Sequence, residues 1–415
     1  MSVDLRTRID GPPTPFDTQA FFELQLPEGL DRHREGIGPG LALLDPRPLV
    51  IELPGATWSL QASAGRVQVR AGEAIAGGGG RRARVRLTHE QVADLVRDQV
   101  SFMGLFSSGR LDQPEGKLGD LLDWWLVLRA ALDGTPIHTP GAVRFEDRDG
   151  HPLDLHRSFS LTDDPDEMRW FLEQAGFLHL RGVFTEAEMA AVSADMDRAA
   201  PSFHPGDGRS WWATTASGDR RVVRMQGFDA LSPATAELLE DRRFLALGEL
   251  PGDGHVFGQR RANNRVEALF KPIGVVEGIS DVPWHKDCSL GRHSYECCSL
   301  TVGISVTGAD ARSGQLRVLA GSHRALVWPA FVREGNDLPE VDLPTATGDV
   351  TVHLSCTLHM AQPPVERERR VLYTGFSLPV PEGARAAAAA ERGRLRAVRE
   401  AAPVSVSQEP GHLGG

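Results

Sequence analysis

The residues of this chain best suited to chemistry are His285 and Asp287, in Pro283-Trp284-His285-Lys286-Asp287. On an extended strand, side chains two residues apart leave the same face. One imidazole nitrogen and one carboxylate oxygen can then converge on a single point. With a second imidazole they form a two-histidine, one-carboxylate set, which holds Fe(II) by one face and leaves the other coordination positions open. An H-x-D triplet alone is common by chance, so the segments around it must carry the reading. His353 and His359 both follow the Gly348-Asp349 turn and compete for the third place. His323, in Gly321-Ser322-His323, reads as a turn histidine, and Lys286 is expected to point away from the metal, outward.

The elements that must position these residues begin near Asp163. Gly176 to Phe184 reads as a buried strand. Thr185-Glu186-Ala187-Glu188 then opens a helix with a capping box that runs toward Met196. A second helix is expected over Pro233 to Leu247. Glu267-Ala268-Leu269-Phe270-Lys271-Pro272 reads as a strand, with Lys271 fourteen residues before His285. Ser313-Gly314-Gln315-Leu316 leads to Gly321-Ser322-His323. After Gly348-Asp349-Val350, His359 lies ten residues beyond Asp349, followed by Arg369-Arg370-Val371-Leu372.

In this order, over about residues 165–380, these blocks resemble the phytanoyl-CoA dioxygenase family of Fe(II)/2-oxoglutarate oxygenases. The resemblance implies an α+β, mainly β catalytic domain: a double-stranded β-helix (jelly roll, cupin-like) with flanking helices. It implies metal ligation by His285, Asp287 and His359, since His359 stands at the family's distal-ligand position and His353 where an aromatic is usual. It further implies 2-oxoglutarate as co-substrate with O2, and ascorbate as a stimulant. The far carboxylate of 2-oxoglutarate needs a buried cation, and a guanidinium fork suits it. Arg367, Arg369 and Arg370 compete; only one of the adjacent Arg369 and Arg370 can face inward, and the alignment favours Arg369, with Lys271 as a second cofactor-binding residue. The implied reaction is oxidation, most simply hydroxylation, of a C–H bond in a small or lipid-like substrate, releasing succinate and CO2. Related halogenases lack the carboxylate that Asp287 supplies here. Two departures mark the substrate side: Ala361 lacks a hydroxyl found in many relatives, and Gly303 replaces a large aromatic, which implies a roomier or rearranged pocket. The rival reading is a non-catalytic lipid or small-molecule binding protein with a vestigial jelly roll.

Ahead of this domain, residues 1–15 read as a flexible arm and 16–134 as a small α+β domain. Short strands start near Pro46, and a helix begins at Thr88 with Gln91 completing a capping box. An amphipathic helix from Leu118 to Leu132 stops at Gly134-Thr135-Pro136. Over about 46–133 the pattern resembles the sterol carrier protein-like lipid-binding fold, which implies an apolar slot; Trp124 and Trp125 suit a slot or a closed core equally. Residues 135–164, rich in proline and charge, read as a linker, and 381–415 as a helix followed by a disordered tail.

A net charge of −11 argues against a nucleic-acid partner, which would call for a basic face. No apolar run reaches the roughly 18 residues of a membrane span. The start, Met1-Ser2-Val3-Asp4-Leu5-Arg6, lacks a signal pattern, and Cys288, Cys297, Cys298 and Cys356 lack zinc-type spacing and read as free thiols. A cytoplasmic location is the expectation; oligomeric state is not legible.

Overall fold

In the computed structural model the described residues are 15–73, 81–257, 265–278, 280–288 and 299–379, with scattered positions from 382 to 394. The expected arm up to residue 14, the disordered tail, Cys297 and Cys298 lie outside them, as do positions 385, 388 and 391 of the expected helix, whose residues 386–387 and 389–390 are helical.

The N-terminal unit is built on a five-stranded sheet in the order Arg66–Ala71, Ala56–Ser63, Leu49–Leu53, Ala83–Arg86, Asp112–Glu115. Only the Leu49–Leu53 and Ala83–Arg86 pair is parallel. The helix His89–Val96 starts with the expected capping box: Gln91 N–H donates to Thr88 Oγ1 at 3.1 Å, and Thr88 N–H to Gln91 Oε1 at 2.8 Å. The helix Leu118–Asp133 stops at Gly134, whose φ of 76° is a left-handed cap that glycine adopts without strain. Trp124 and Trp125 are buried in this unit's apolar cluster.

Two helices, Leu26–Arg32 and Arg34–Leu44, precede the first strand where the sequence offered no clear period. Pro27, Pro39 and four glycines lower helix propensity there. Burial of Leu26, Leu30, Ile37 and Leu41 in the shared core overrides it. The stretch 135–164, expected as a linker, is held at both ends: Ile137 pairs with Leu326, and Phe159 joins the sheet edge through His179 O and Arg181 N–H.

The C-terminal unit has a nine-stranded antiparallel sheet among the described residues. From Ser210–Thr215 to its last strand the order is Ser210–Thr215, Arg220–Gln226, Glu267–Lys271, Arg369–Ser377, Ser299–Ser305, Val350–Leu354, Phe177–Leu180. A smaller sheet orders Glu340–Leu343, Leu316–Leu319, His359–Ala361. The period of two along a strand divides the large sheet into unlike faces. Ala268, Phe270, Val302, Ile304, Val352 and Leu372 join one apolar cluster with Met189, Val192 and Met196 of the helix Glu186–Ala199. The register places Lys271 opposite Arg369, Glu267 opposite Tyr373, Thr301 opposite His353, and Gly303 opposite both Tyr373 and Thr351. These residues share the other face, which is polar. The jelly-roll architecture is therefore present, with its chamber on the polar side. The second expected helix is broken: Pro233–Glu240 ends at Asp241, which turns extended (ψ 137°) and caps a short helix, Arg242–Leu245.

Candidate active site

His285 and His359 come from segments far apart in sequence that lie side by side. His285 N–H donates to His359 O at 2.9 Å, and His359 N–H donates back to His285 O at 3.0 Å. Such a mutually bonded pair sets neighbouring side chains on one face, and the two ring centroids are 4.3 Å apart. Each ring is oriented by its own chain. His285 Nδ1 lies 2.8 Å from Pro283 O, and His359 Nδ1 lies 2.9 Å from Thr357 O. A carbonyl only accepts, so both Nδ1 atoms carry the proton and both Nε2 lone pairs are free for a metal.

Those Nε2 atoms face Asp287 Oδ1, at 3.4 Å from His285 and 3.7 Å from His359. His285, Asp287 and His359 offer one donor atom each within 4.8 Å of one another. The strand expected through Asp287 is not formed. His285 makes isolated bridges to His359 and Ala330, and Asp287 sits in the turn that follows. Pairing partners end at His285, so the chain is free to curl its carboxylate back to the rings.

Asp287 Oδ2 accepts from Thr301 Oγ1 at 2.7 Å and lies 3.6 Å from His353 Nε2. His353 is fully buried, its ring centroid 4.3 Å from that of His359, and neither ring nitrogen has a hydrogen-bond partner among the described residues. Both histidines weighed for the third place thus reach Asp287, on opposite oxygens. Burial opposes charge on Asp287, but His359, His285 and His353 outweigh it and hold the carboxyl well below its usual range. Burial, then His353 and His285, push His359 well below the usual imidazole range, which keeps it neutral. Two imidazoles that turn Nε2 toward one carboxylate oxygen are a donor set that fits a divalent iron with open positions.

Arg369 is 3% exposed, and its Nε and Nη2 have no partner among the described residues. A buried guanidinium with two unbonded N–H directions leaves a costly gap that a carboxylate would fill in forked geometry. Arg370 turns to the opposite face, bonding Ser193 O, Ser193 Oγ and Asp197 on the helix Glu186–Ala199. Arg367 is exposed and pairs with Asp310. Lys271, across the strand from Arg369, donates to Ser280 O and lies 3.3 Å from Asp281. Burial, against the attraction of Asp281 and with repulsion from Arg369, brings its ammonium down to about 8.

Lys286 is not outward. It is completely buried and donates to Ser322 O at 2.8 Å, so it props the metal-side loop from behind. It points away from His285 and Asp287 as expected, but that side is covered by the Gly321–His323 turn rather than by solvent. His323 lies in that turn, bonded to Glu173 O, with burial pushing its imidazole down to about 3. At Gly303, a Cβ would stand 3.0 Å from the Tyr373 ring and 2.8 Å from Thr351 Oγ1. The space left by the missing aromatic is thus filled from across the strand, and the chamber is rearranged. Thr301 and Tyr373 were missed as site residues, and His353 was weighed only as a rival to His359 for the third place. Their signal is their place on the same strand face as Arg369, which only the register reveals.

No curated protein matches the chain. Among solved structures, the α-ketoglutarate-dependent epimerase SnoN from nogalamycin biosynthesis is 20% identical, covering 52% of this chain and 80% of its own, with a TM-score of 0.41. EctD from S. alaskensis, solved with 2-oxoglutarate and 5-hydroxyectoine, is 18% identical, covering 59% and 86%, with a TM-score of 0.42. AviO1 from Streptomyces viridochromogenes Tue57 is 20% identical, covering 52% and 97%, with a TM-score of 0.40. Together with the order of motifs along the jelly roll, the family match identifies residues 172–370 as a phytanoyl-CoA dioxygenase (PhyH) family domain.

Proposed function

We propose that the protein is an Fe(II)- and 2-oxoglutarate-dependent oxygenase in which His285, Asp287 and His359 hold the metal and Arg369 anchors the co-substrate. The observation behind this reading is the convergence of two proton-fixed imidazoles and one carboxylate oxygen in a chamber that also contains the buried Arg369 guanidinium, whose Nε and Nη2 have no partner among the described residues. Bound iron with 2-oxoglutarate supplies oxidative decarboxylation to succinate and CO2, coupled to oxidation of a substrate C–H bond. The protein's part is placement. Pro283 O and Thr357 O keep the ring protons away from the metal side. Thr301 holds the outer oxygen of Asp287, and His353 stands 3.6 Å from it. Lys271 adds positive charge beside Arg369 while its own bonds go to Ser280 and Asp281.

Hydroxylation is the default outcome because Asp287 occupies the place that a halide would otherwise need. The substrate is a small molecule, and the chamber wall favours a polar one over a lipid. Arg224, opposite Leu269 in register, pairs with Glu267 at 3.3 Å and lies 3.9 Å over the Trp211 ring; Tyr373 faces Glu267. The test is 2-oxoglutarate turnover: protein supplied with Fe(II) should release succinate, with His285→Ala abolishing it. Metal-loaded protein that neither binds nor consumes 2-oxoglutarate would sink the reading.

A further inference from the structure

The segment 326–333 belongs to both units. On one side it is part of the N-terminal core. Leu326 and Ala330 are 1% and 0% exposed within that cluster, and Trp328 and Phe331 pack against it. Leu326 pairs with Ile137, and His138 N–H donates to Leu326 O at 3.1 Å. Trp328 Nε1 donates to Asp123 Oδ1 at 2.9 Å. The Trp328 ring packs so tightly on the helix Leu118–Asp133 that a Cβ at Gly119 would stand 3.2 Å from it. Arg333 lies 3.5 Å from Asp123 and donates to Leu43 O and Leu44 O at 3.1 and 3.3 Å.

On its other side the same segment is the second backbone partner of the metal-site strand. Ala330 bridges His285, Lys286 N–H donates to Pro329 O at 3.1 Å, and Phe331 N–H donates to Trp284 O at 3.0 Å. Phe331 has φ of 61°, a left-handed conformation that a bulky residue keeps only where its surroundings hold it. His285 therefore has His359 on one flank and the N-terminal unit's clamp on the other.

We propose that Asp123, Trp328 and Arg333 are positioning residues for the metal centre, through which the N-terminal unit presses 329–331 against Trp284–Lys286 and fixes His285. The proposal rests on the reading of His285 as an iron ligand. It gives the N-terminal unit a role in the reaction that needs no ligand of its own. The energetic case is one of coupled burial: the Asp123 carboxylate sits in a largely apolar joint, where loss of the Trp328 bond leaves a buried acceptor unmatched.

The experiment uses the full chain with Asp123→Ala and Trp328→Phe, and Asp123→Asn as the conservative rescue that still accepts from Trp328. Trp58→Phe is the control; Trp58 stacks on Phe22 in the same core at 5.2 Å. Fe(II) binding is measured anaerobically by calorimetry, and amide hydrogen exchange is followed at His285, Lys286 and Phe331. Asp123→Ala and Trp328→Phe should each weaken Fe(II) binding about tenfold, the lower end of what outer support of a ligand is worth. They should also speed exchange at those three amides. Asp123→Asn should restore most of both, and Trp58→Phe should lower Tm while moving neither. Equal effects from the clamp variants and the control would overturn the proposal. Wild-type protein that binds no Fe(II) would instead defeat the metal reading, while the exchange measurement still decides whether the clamp exists.

Discussion

Asp287 divides its two oxygens between two tasks: Oδ2 accepts from Thr301 at 2.7 Å while Oδ1 faces the Nε2 atoms of His285 and His359. The side chain is 35% exposed, so without Thr301 it would be free to rotate toward solvent. Thr301→Val keeps the shape and removes the bond. Fe(II) affinity, measured anaerobically, is expected to fall about tenfold with little change in Tm. His353→Phe should do the same to a smaller extent, because His353 is 3.6 Å from Oδ2. If His353 were a primary ligand in place of His359, its loss would instead abolish binding.

Arg369 and Arg370 offer an internal comparison. Arg369→Gln removes the buried guanidinium and should raise KM for 2-oxoglutarate at least tenfold, as expected for loss of a charged hydrogen-bonded pair worth roughly 1.5–3 kcal/mol. Arg370→Gln should leave that KM within about twofold and cost about 1 kcal/mol of stability through its lost bonds to Ser193 and Asp197. Steady-state kinetics and thermal denaturation on the same two samples separate the roles; the opposite pattern would reassign the anchor.

Gly303→Ala should displace the Tyr373 ring, since the added Cβ meets it at 3.0 Å and Thr351 Oγ1 at 2.8 Å. Overpacking of this kind costs about 1–3 kcal/mol. The displaced ring should lower the yield of oxidised product per succinate, read by comparing the two product counts. Unchanged stability and yield would show that Tyr373 has room to move.

Burial raises the Asp123 carboxyl from 3.8 to about 6, against the bond from Trp328 and the charge of Arg333. An acid raised on folding binds its proton more tightly in the folded state, so its contribution to stability is full below about pH 4 and lost as pH rises through 6. Asp123→Asn has no such dependence. Between pH 4 and 6, wild type should therefore lose stability relative to Asp123→Asn, seen in denaturant midpoints at the two pH values. A constant difference would mean that Asp123 titrates normally.

The grouping of His285, Asp287 and His359 was legible because His285 and Asp287 are two residues apart and the family resemblance marks His359 over His353; the structure brings the three donors together. Caps at Thr88 and Thr185 and the stop at Gly134 were legible because a helix end is satisfied by residues within one turn. The helices at Leu26–Arg32 and Arg34–Leu44 were not, because prolines and glycines disguise them and only the shared core stabilises them.

By itself, the sequence determined the donor types, the order of the jelly-roll strands and the rule that Arg369 and Arg370 face opposite ways. Tertiary structure alone decided which way each faces, that Lys286 is buried behind the site, and that His353 joins the carboxylate. It also decided that the Tyr373 ring occupies the space left at Gly303. These outcomes depend on strand register and on which segment covers which face. Both come from pairing between residues tens to hundreds of positions apart, and no local period encodes them.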